Sequence, residues 1–205
     1  MRSKLILAGL AAALTMAIAA NSASARNLSI SHGELFNAVW RPISFSSGGL
    51  VAAECDVTLE GSFHYRTFLK VRESLVGYIT HAIVNNCVGG GSATVLTTNL
   101  PWHIRYQGFQ GRLPEISGIR IRLILAEFEL RDRIFNSLCL TRTTAAAPAE
   151  GVANLSAGTG RRLVTGLTAD PTPRIRCGIL EGEFEGIARV TELPNGNSNI
   201  LVRLI

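Results

Sequence analysis

The sequence predicts an all-β protein, an antiparallel sandwich or barrel that carries two disulfides and has room for one short helix. Three observations favour this class. Apolar and polar residues alternate in several segments, turns rich in glycine and proline separate them, and four cysteines lie in the part of the chain expected to be exported. Short alternating strands with frequent turns are typical of sandwiches and barrels. We therefore expect one disulfide-bridged β domain over residues 26–205.

Residues 1–25 have the pattern of a secretory signal peptide. Arg2 and Lys4 precede the apolar run from Leu5 to Ala20, and the small residues 23–25 close the segment. Loss of this leader would leave a chain of ordinary length for one domain, which buries about 70% of its unfolded surface. The leader has no cysteine near its end, so we expect no lipid anchor. No later apolar run approaches the roughly 20 residues that span a bilayer. We expect a secreted or envelope-associated protein with no membrane span after leader removal.

The charge is small and evenly distributed. The full chain has 20 Lys and Arg against 15 Asp and Glu, a net charge of +5, and loss of Arg2 and Lys4 with the leader lowers it to +3. Basic residues are interleaved with carboxylates, so the electrostatic footprint of a nucleic-acid-binding protein is missing. A weakly basic surface is compatible with an anionic envelope polymer as a partner.

The segment from Leu50 to Tyr65 shows the clearest alternation. One face is apolar and the other is polar, which is typical of a half-buried strand. A turn signal at residues 46–49 precedes it. The apolar face consists of Cys55, Val57, Leu59, Gly61, Phe63 and Tyr65.

Residues 67–75 allow two interpretations. Phe68, Val71 and Leu75 have the spacing of a helical stripe, so this segment is a short helix or a turn. Residues 76–84 are rich in β-branched side chains and predict a strand that runs toward the second cysteine.

Further strands are predicted along the rest of the chain, separated by a glycine triplet at residues 89–91, a loop at 145–151 and a turn at 170–173. Residues 123–135 contain good helix formers, so a helix competes with a strand there. Clean alternation after Gly118 favours the strand. The predicted strands cover residues 93–98, 102–106, 119–125, 134–141, 163–167, 175–190 and 200–205.

Four cysteines permit three pairings. We favour Cys55–Cys87 and Cys139–Cys177, because each pair joins segments that are separated by only a few elements. In the chain-entropy model each bridge contributes roughly 3–4 kcal/mol. No C-x-x-C pair occurs, which argues against a redox motif and against the usual zinc spacing.

Metal and nucleophile signatures are missing from the sequence. His32, His64, His81 and His103 form no local ligand pair, so we predict no metal site and no cofactor. The G-x-S-x-G turn of serine hydrolases does not occur. Every cysteine has a candidate bridge partner, which leaves no thiol nucleophile.

Paired carboxylates are the one feature compatible with catalysis. Residues two apart on a strand share a face at about 7 Å, a separation close to that in glycosidases. A solvated strand face is the competing interpretation. The acids concerned are Glu127 and Glu129, and the run Glu181, Glu183 and Glu185.

The best candidates for a binding surface follow Pro101. Trp102, His103, Arg105 and Tyr106 combine large aromatic area with polar groups, as binding hot spots do. The alternative, which the alternation favours, places the tryptophan and tyrosine in the core and the histidine and arginine in water.

Several stretches resemble secreted proteins of unknown function from GC-rich actinobacteria. These stretches are Cys55-Asp56-Val57-Thr58-Leu59-Glu60-Gly61, Pro101-Trp102, Leu113-Pro114 and Cys139. The resemblance implies a signal peptide followed by a four-cysteine β-rich domain. It implies no activity, so no functional residue is carried over from it.

Together these features predict an exported, non-enzymatic protein with a binding or structural role at the envelope or outside the cell. Its partner would be an envelope polymer or another protein. The alternative is a secreted hydrolase that acts on an envelope or environmental polymer through the paired carboxylates.

Overall fold

The computed structural model describes residues 27–31, 33–47, 50–131, 138–157, 160–169, 175–177, 180–194 and 200–205. Within these ranges the chain forms strands, turns and a 3-10 turn at Thr97–Asn99, with no α-helix, which confirms the all-β class. The strands are β1 (Asn27–Ser31), β2 (Leu35–Ser47), β3 (Leu50–Phe63), β4 (Thr67–Leu69), β5 (Leu75–Val88), β6 (Ser92–Val95), β7 (Trp102–Arg112), β8 (Glu115–Ile124), β9 (Glu127–Arg131), β10 (Leu138–Arg142), β11 (Ala149–Leu155), β12 (Arg161–Ala169), β13 (Ile175–Cys177), β14 (Leu180–Glu192) and β15 (Leu201–Leu204).

Eight of these strands close into an antiparallel barrel. Their order is β14-β2-β3-β5-β7-β8-β11-β12, and β12 completes the circle by pairing with β14. The closing contact joins residues 167–169 to residues 186–188. Closure pairs what would otherwise be two sheet edges. An eight-stranded barrel has an interior just wide enough to be filled by side chains or to hold one small ligand.

The remaining strands lie at the two ends of the barrel. β6, β9 and β10 form a small sheet within the connections from β5 to β7 and from β8 to β11, and β13 contacts β10. We call this the β9 end. At the opposite β1 end, β15 pairs with β12 and β1, and β1 also pairs with β4. Both ends of the barrel therefore carry additional β-structure.

Apolar side chains of the barrel strands point inward. On β3, Cys55, Val57 and Leu59 are buried, as the alternation predicts. On β2, Trp40 and Ile43 both face the interior although they are three positions apart. A bulge between them shifts the register against β3, so the strand gains one residue without reversing its faces.

Three local predictions need correction. β3 ends at Phe63, so Tyr65, predicted on its buried face, is 66% exposed. For residues 67–75 the sequence predicts a short helix or a turn, and the helix does not form: β4 pairs with β1 and buries Phe68, and a turn follows at residues 72–73. The predicted loop at 145–151 ends earlier than expected, since β11 begins at Ala149 and pairs with both β8 and β12.

The other helix alternative, at residues 123–135, is also wrong over its described part. β8 ends at Ile124, Leu125 has a positive φ of 69°, and β9 begins at Glu127. A turn therefore interrupts the run of helix formers. The predicted leader, His32 and the turn at 170–173 lie outside the described residues.

One of the two predicted disulfides is present in the described structure. Cys55 on β3 is bonded to Cys87 on β5, its neighbour in the barrel, across 32 positions of sequence. Cys139 is buried on β10, which contacts β13, the strand that ends at Cys177. The side chain of Cys177 lies outside the described residues, so the second pairing remains a prediction.

Candidate ligand-binding cavity

The interior of the barrel contains a cavity of about 180 Å³. All eight barrel strands contribute to its lining, and almost every lining side chain is aliphatic or aromatic. Such a lining arises because each strand directs its apolar face inward. A concave apolar site with few polar groups is the usual form of a small-molecule pocket.

Aromatic side chains lie at both ends of this cavity. At the β9 end, the ring of Phe128 lies 5.3 Å from Trp102, 6.0 Å from Phe184 and 6.5 Å from Phe45, measured between centroids. β9 lies outside the barrel circle, so its small sheet inserts Phe128 into the interior. At the β1 end, Phe68 of β4 contributes to the lining.

Polar groups in the lining are few. Glu150 accepts a hydrogen bond from Arg122 Nε at 2.8 Å, and the Thr168 hydroxyl accepts one from Asn154 at 2.7 Å. The indole of Trp40 also lines the cavity. Its Nε1 is buried and has no hydrogen-bond partner among the described residues. The described lining includes no Ser, Cys, His, Lys or Arg, so it offers no cation, and its one hydroxyl group is that of Thr168.

The four residues predicted as a binding surface fall on two faces of β7. Trp102 and Tyr106 are buried inside the barrel at 0% and 2% exposure. His103 lies on the outer face with its ring edge-on to Tyr78, and Arg105 donates to the Glu73 carbonyl oxygen. This arrangement agrees with the alternative in which the tryptophan and tyrosine pack in the core while the histidine and arginine lie on the outer face. A role for these residues in binding remains a prediction.

A second, polar cavity of about 320 Å³ lies on the outside of β7, β8 and β11. Three arginines line it, and one of them, Arg122, pairs with both Glu73 and Glu150, at 3.1 and 2.8 Å. Gln107, which is 7% exposed, donates to Glu73 and accepts from Arg72. This network therefore fixes the turn at residues 70–74 against the barrel.

Burial raises the pKa of the Tyr106 hydroxyl above its usual range, while the positive charge of Arg120 acts in the opposite direction. Tyr106 is therefore a neutral phenol at physiological pH. It contributes aromatic volume to the core next to Phe68, whose ring centroid lies 6.2 Å away.

The paired carboxylates do not converge on the cavity. Glu127 is buried and bound on both oxygens, by Arg142 at Oε1 and by Asn99 at Oε2. Glu183 and Glu185 are exposed on β14. The side chain of Glu181 lies outside the described residues. Glu129 is half-buried on β9, and none of the described acids of the hydrolase alternative lines the cavity.

The described histidines contact carboxylate or aromatic neighbours, and His64 and His103 share one of them, Tyr78. His81 Nδ1 lies 3.1 Å from a carboxylate oxygen of Glu60, and His64 stacks beside Tyr65 and Tyr78. Among the described residues, no group of three or more His, Cys, Asp and Glu side chains is placed to hold a metal ion.

Sequence reasoning missed the contribution of β2, which supplies Trp40 to the cavity. The buried residues Phe36, Ala38 and Trp40 alternate with less buried positions, and this alternation was the available signal. The bulge at Arg41 and Pro42 breaks the alternation before Ile43 and Phe45 resume it.

In the described part of the chain, no helical segment has the length and apolar character required to cross a bilayer. No protein-family model matches this chain, and neither a curated protein nor a solved structure matches it.

Proposed function

We propose that this protein is an exported, non-enzymatic binding protein that holds a small apolar molecule inside its barrel. The cavity of about 180 Å³ carries the proposal. An apolar cavity of about 150 Å³ in another protein stays dry and binds benzene or xenon. Burial of a small apolar ligand here would bring dispersion contacts from all sides and remove apolar surface from water.

The position of the cavity favours a small molecule over a polymer. Its lining comes from all eight strands of a closed barrel and from strands at both ends, so a long polymer chain has no open groove to follow. Export is supported by the predicted leader and by the Cys55–Cys87 bridge, because disulfides persist in oxidising compartments. A binding role is supported by the lining of the cavity, which is almost entirely aliphatic and aromatic.

The test is a benzene titration followed by tryptophan fluorescence and thermal unfolding. The chain has two tryptophans, Trp40 and Trp102, and both are buried in the barrel. We expect benzene to change their emission and to raise the melting temperature, since a ligand that binds only the folded state stabilises it.

A cavity-filling variant gives the matched comparison. Ala38→Phe places a ring in the cavity, whereas Val39→Phe places the same ring on the outer face of the same strand. We expect the first to weaken benzene binding at least tenfold and the second to leave it unchanged. If Ala38→Phe does not fold, Val164→Phe fills the cavity from β12. Benzene binding that survives filling, or no binding to the wild type, would refute the proposed function.

A further inference from the structure

Among the described lining residues, Trp40 is the one with a buried side-chain nitrogen or oxygen that has no hydrogen-bond partner at all. Trp40 is 4% exposed, so water does not hydrate it from outside. A buried donor without an acceptor costs about 1–3 kcal/mol. Trp Nε1–H can only donate, so only an acceptor atom can relieve this cost.

The pyrrole edge of this indole packs against a glycine of β14, which has no side chain to crowd it. Gly186 lies beside it, and a Cβ at that position would be 3.1 Å from Trp40 Cδ1, the atom bonded to Nε1. A larger residue would therefore crowd this edge of the ring. The edge lies close to the pairing of β12 with β14 that closes the barrel, because Gly186 pairs with Ala169.

The lining also restricts the charge of a ligand. No Lys or Arg is among the described lining residues, and the one ionisable lining residue is the acidic Glu150. An ionised carboxylate taken into this cavity would have no cation to compensate it, which is strongly unfavourable. The Glu150 carboxylate is paired with Arg122 in the polar cavity on the outside of β11, so it does not offer an interior site to a cationic ligand.

We propose that the ligand is a neutral, mostly apolar molecule with one carbonyl-type acceptor, and that Trp40 Nε1–H donates to it. This inference rests on the proposed function and narrows it from any small apolar molecule to ketones, aldehydes, esters or quinones of benzene-like size. Binding satisfies the orphaned donor, while the aliphatic and aromatic lining contacts the remainder of the ligand.

Acetophenone and α-methylstyrene provide an isosteric pair for the test, because the second replaces the carbonyl oxygen with a methylene group. α-Methylstyrene is less soluble in water than acetophenone, so the two affinities for one protein cannot be compared directly. The informative quantity is the change in each affinity between the wild type and a variant. We expect Trp40→Phe to weaken acetophenone binding about three- to tenfold relative to α-methylstyrene, as the loss of one hydrogen bond requires.

Trp102→Phe is the matched control. Among the described residues, Trp102 Nε1 is also buried without a partner and Trp102 does not line the cavity, so this variant should leave the affinity ratio unchanged. In the wild type, the ¹⁵N-labelled indole N–H resonance of Trp40 should move with acetophenone and not with the hydrocarbon. Benzoate, which is charged, should not bind.

The outcomes separate this inference from the proposed function. If α-methylstyrene binds but the affinity ratio is the same in wild type and Trp40→Phe, the cavity is a ligand site and the donor role of Trp40 is wrong. An equal effect of Trp102→Phe would also overturn it. If neither compound binds the wild type, the proposed function fails, and the inference fails with it.

Discussion

Replacing Arg142 with methionine is expected to lower the free energy of unfolding by about 3 kcal/mol. The guanidinium donates to Glu127 Oε1 from Nε at 2.9 Å and from a terminal nitrogen at 2.6 Å. The Glu127 side chain is 4% exposed, so the variant leaves a buried carboxylate held only by Asn99. Loss of one partner from a buried ion pair typically costs 3–5 kcal/mol, and the 59% exposure of Arg142 places this pair at the lower end.

Replacing the other partner of the ion pair, Glu127, should lower the free energy of unfolding by a smaller amount. Glu127→Gln keeps the side-chain volume, and the exposed Arg142 can turn to water, so we expect a loss of about 1–2 kcal/mol. Urea unfolding of both single variants and of the double variant measures the asymmetry, with Glu129→Gln on the same strand as the control. If both single variants lowered the free energy of unfolding by the same amount, the unpaired buried carboxylate would not be the main source of the destabilisation.

Phe128→Ala is expected to destabilise the protein by about 3–5 kcal/mol, the usual cost of deleting a buried phenyl ring. The ring is 8% exposed and lies among Phe45, Trp102 and Phe184 at the β9 end. Its loss removes contacts from three aromatic neighbours at once. Urea or thermal unfolding measures the effect.

The same variant should change the ligands that the barrel accepts. Removal of the ring extends the cavity toward the β9 end, so naphthalene should bind Phe128→Ala more tightly than the wild type. Leu140→Ala, on the exposed face of the same small sheet, is the control and should alter stability by less than about 0.5 kcal/mol. Unchanged naphthalene affinity would mean that Phe128 does not close this end of the cavity.

Local patterns sufficed to predict most of the strands. The alternation around Cys55, Val57 and Leu59 fixes which face of β3 is buried, because side chains on a strand alternate with period two. Once β3 and β5 are neighbours, their cysteines lie within bonding distance, which is why the Cys55–Cys87 pairing could be predicted.

Features that depend on distant strands could not be predicted. Closure of the barrel depends on pairing between residues 167–169 and 186–188, which no local pattern specifies. The bulge beside Trp40 breaks the alternation that would have identified β2. The cavity itself results from the summed volumes of side chains from eight strands, so neither its size nor the unpartnered donor of Trp40 follows from any one segment.

Crystals pressurised with xenon show directly whether the barrel interior holds a small apolar molecule, because xenon occupies dry apolar cavities without needing a hydrogen bond. We predict xenon inside the barrel, in contact with the lining side chains around Trp40, and absent from crystals of Ala38→Phe. A barrel interior without xenon in the wild type, or xenon confined to the outer surface, would contradict a ligand-binding cavity.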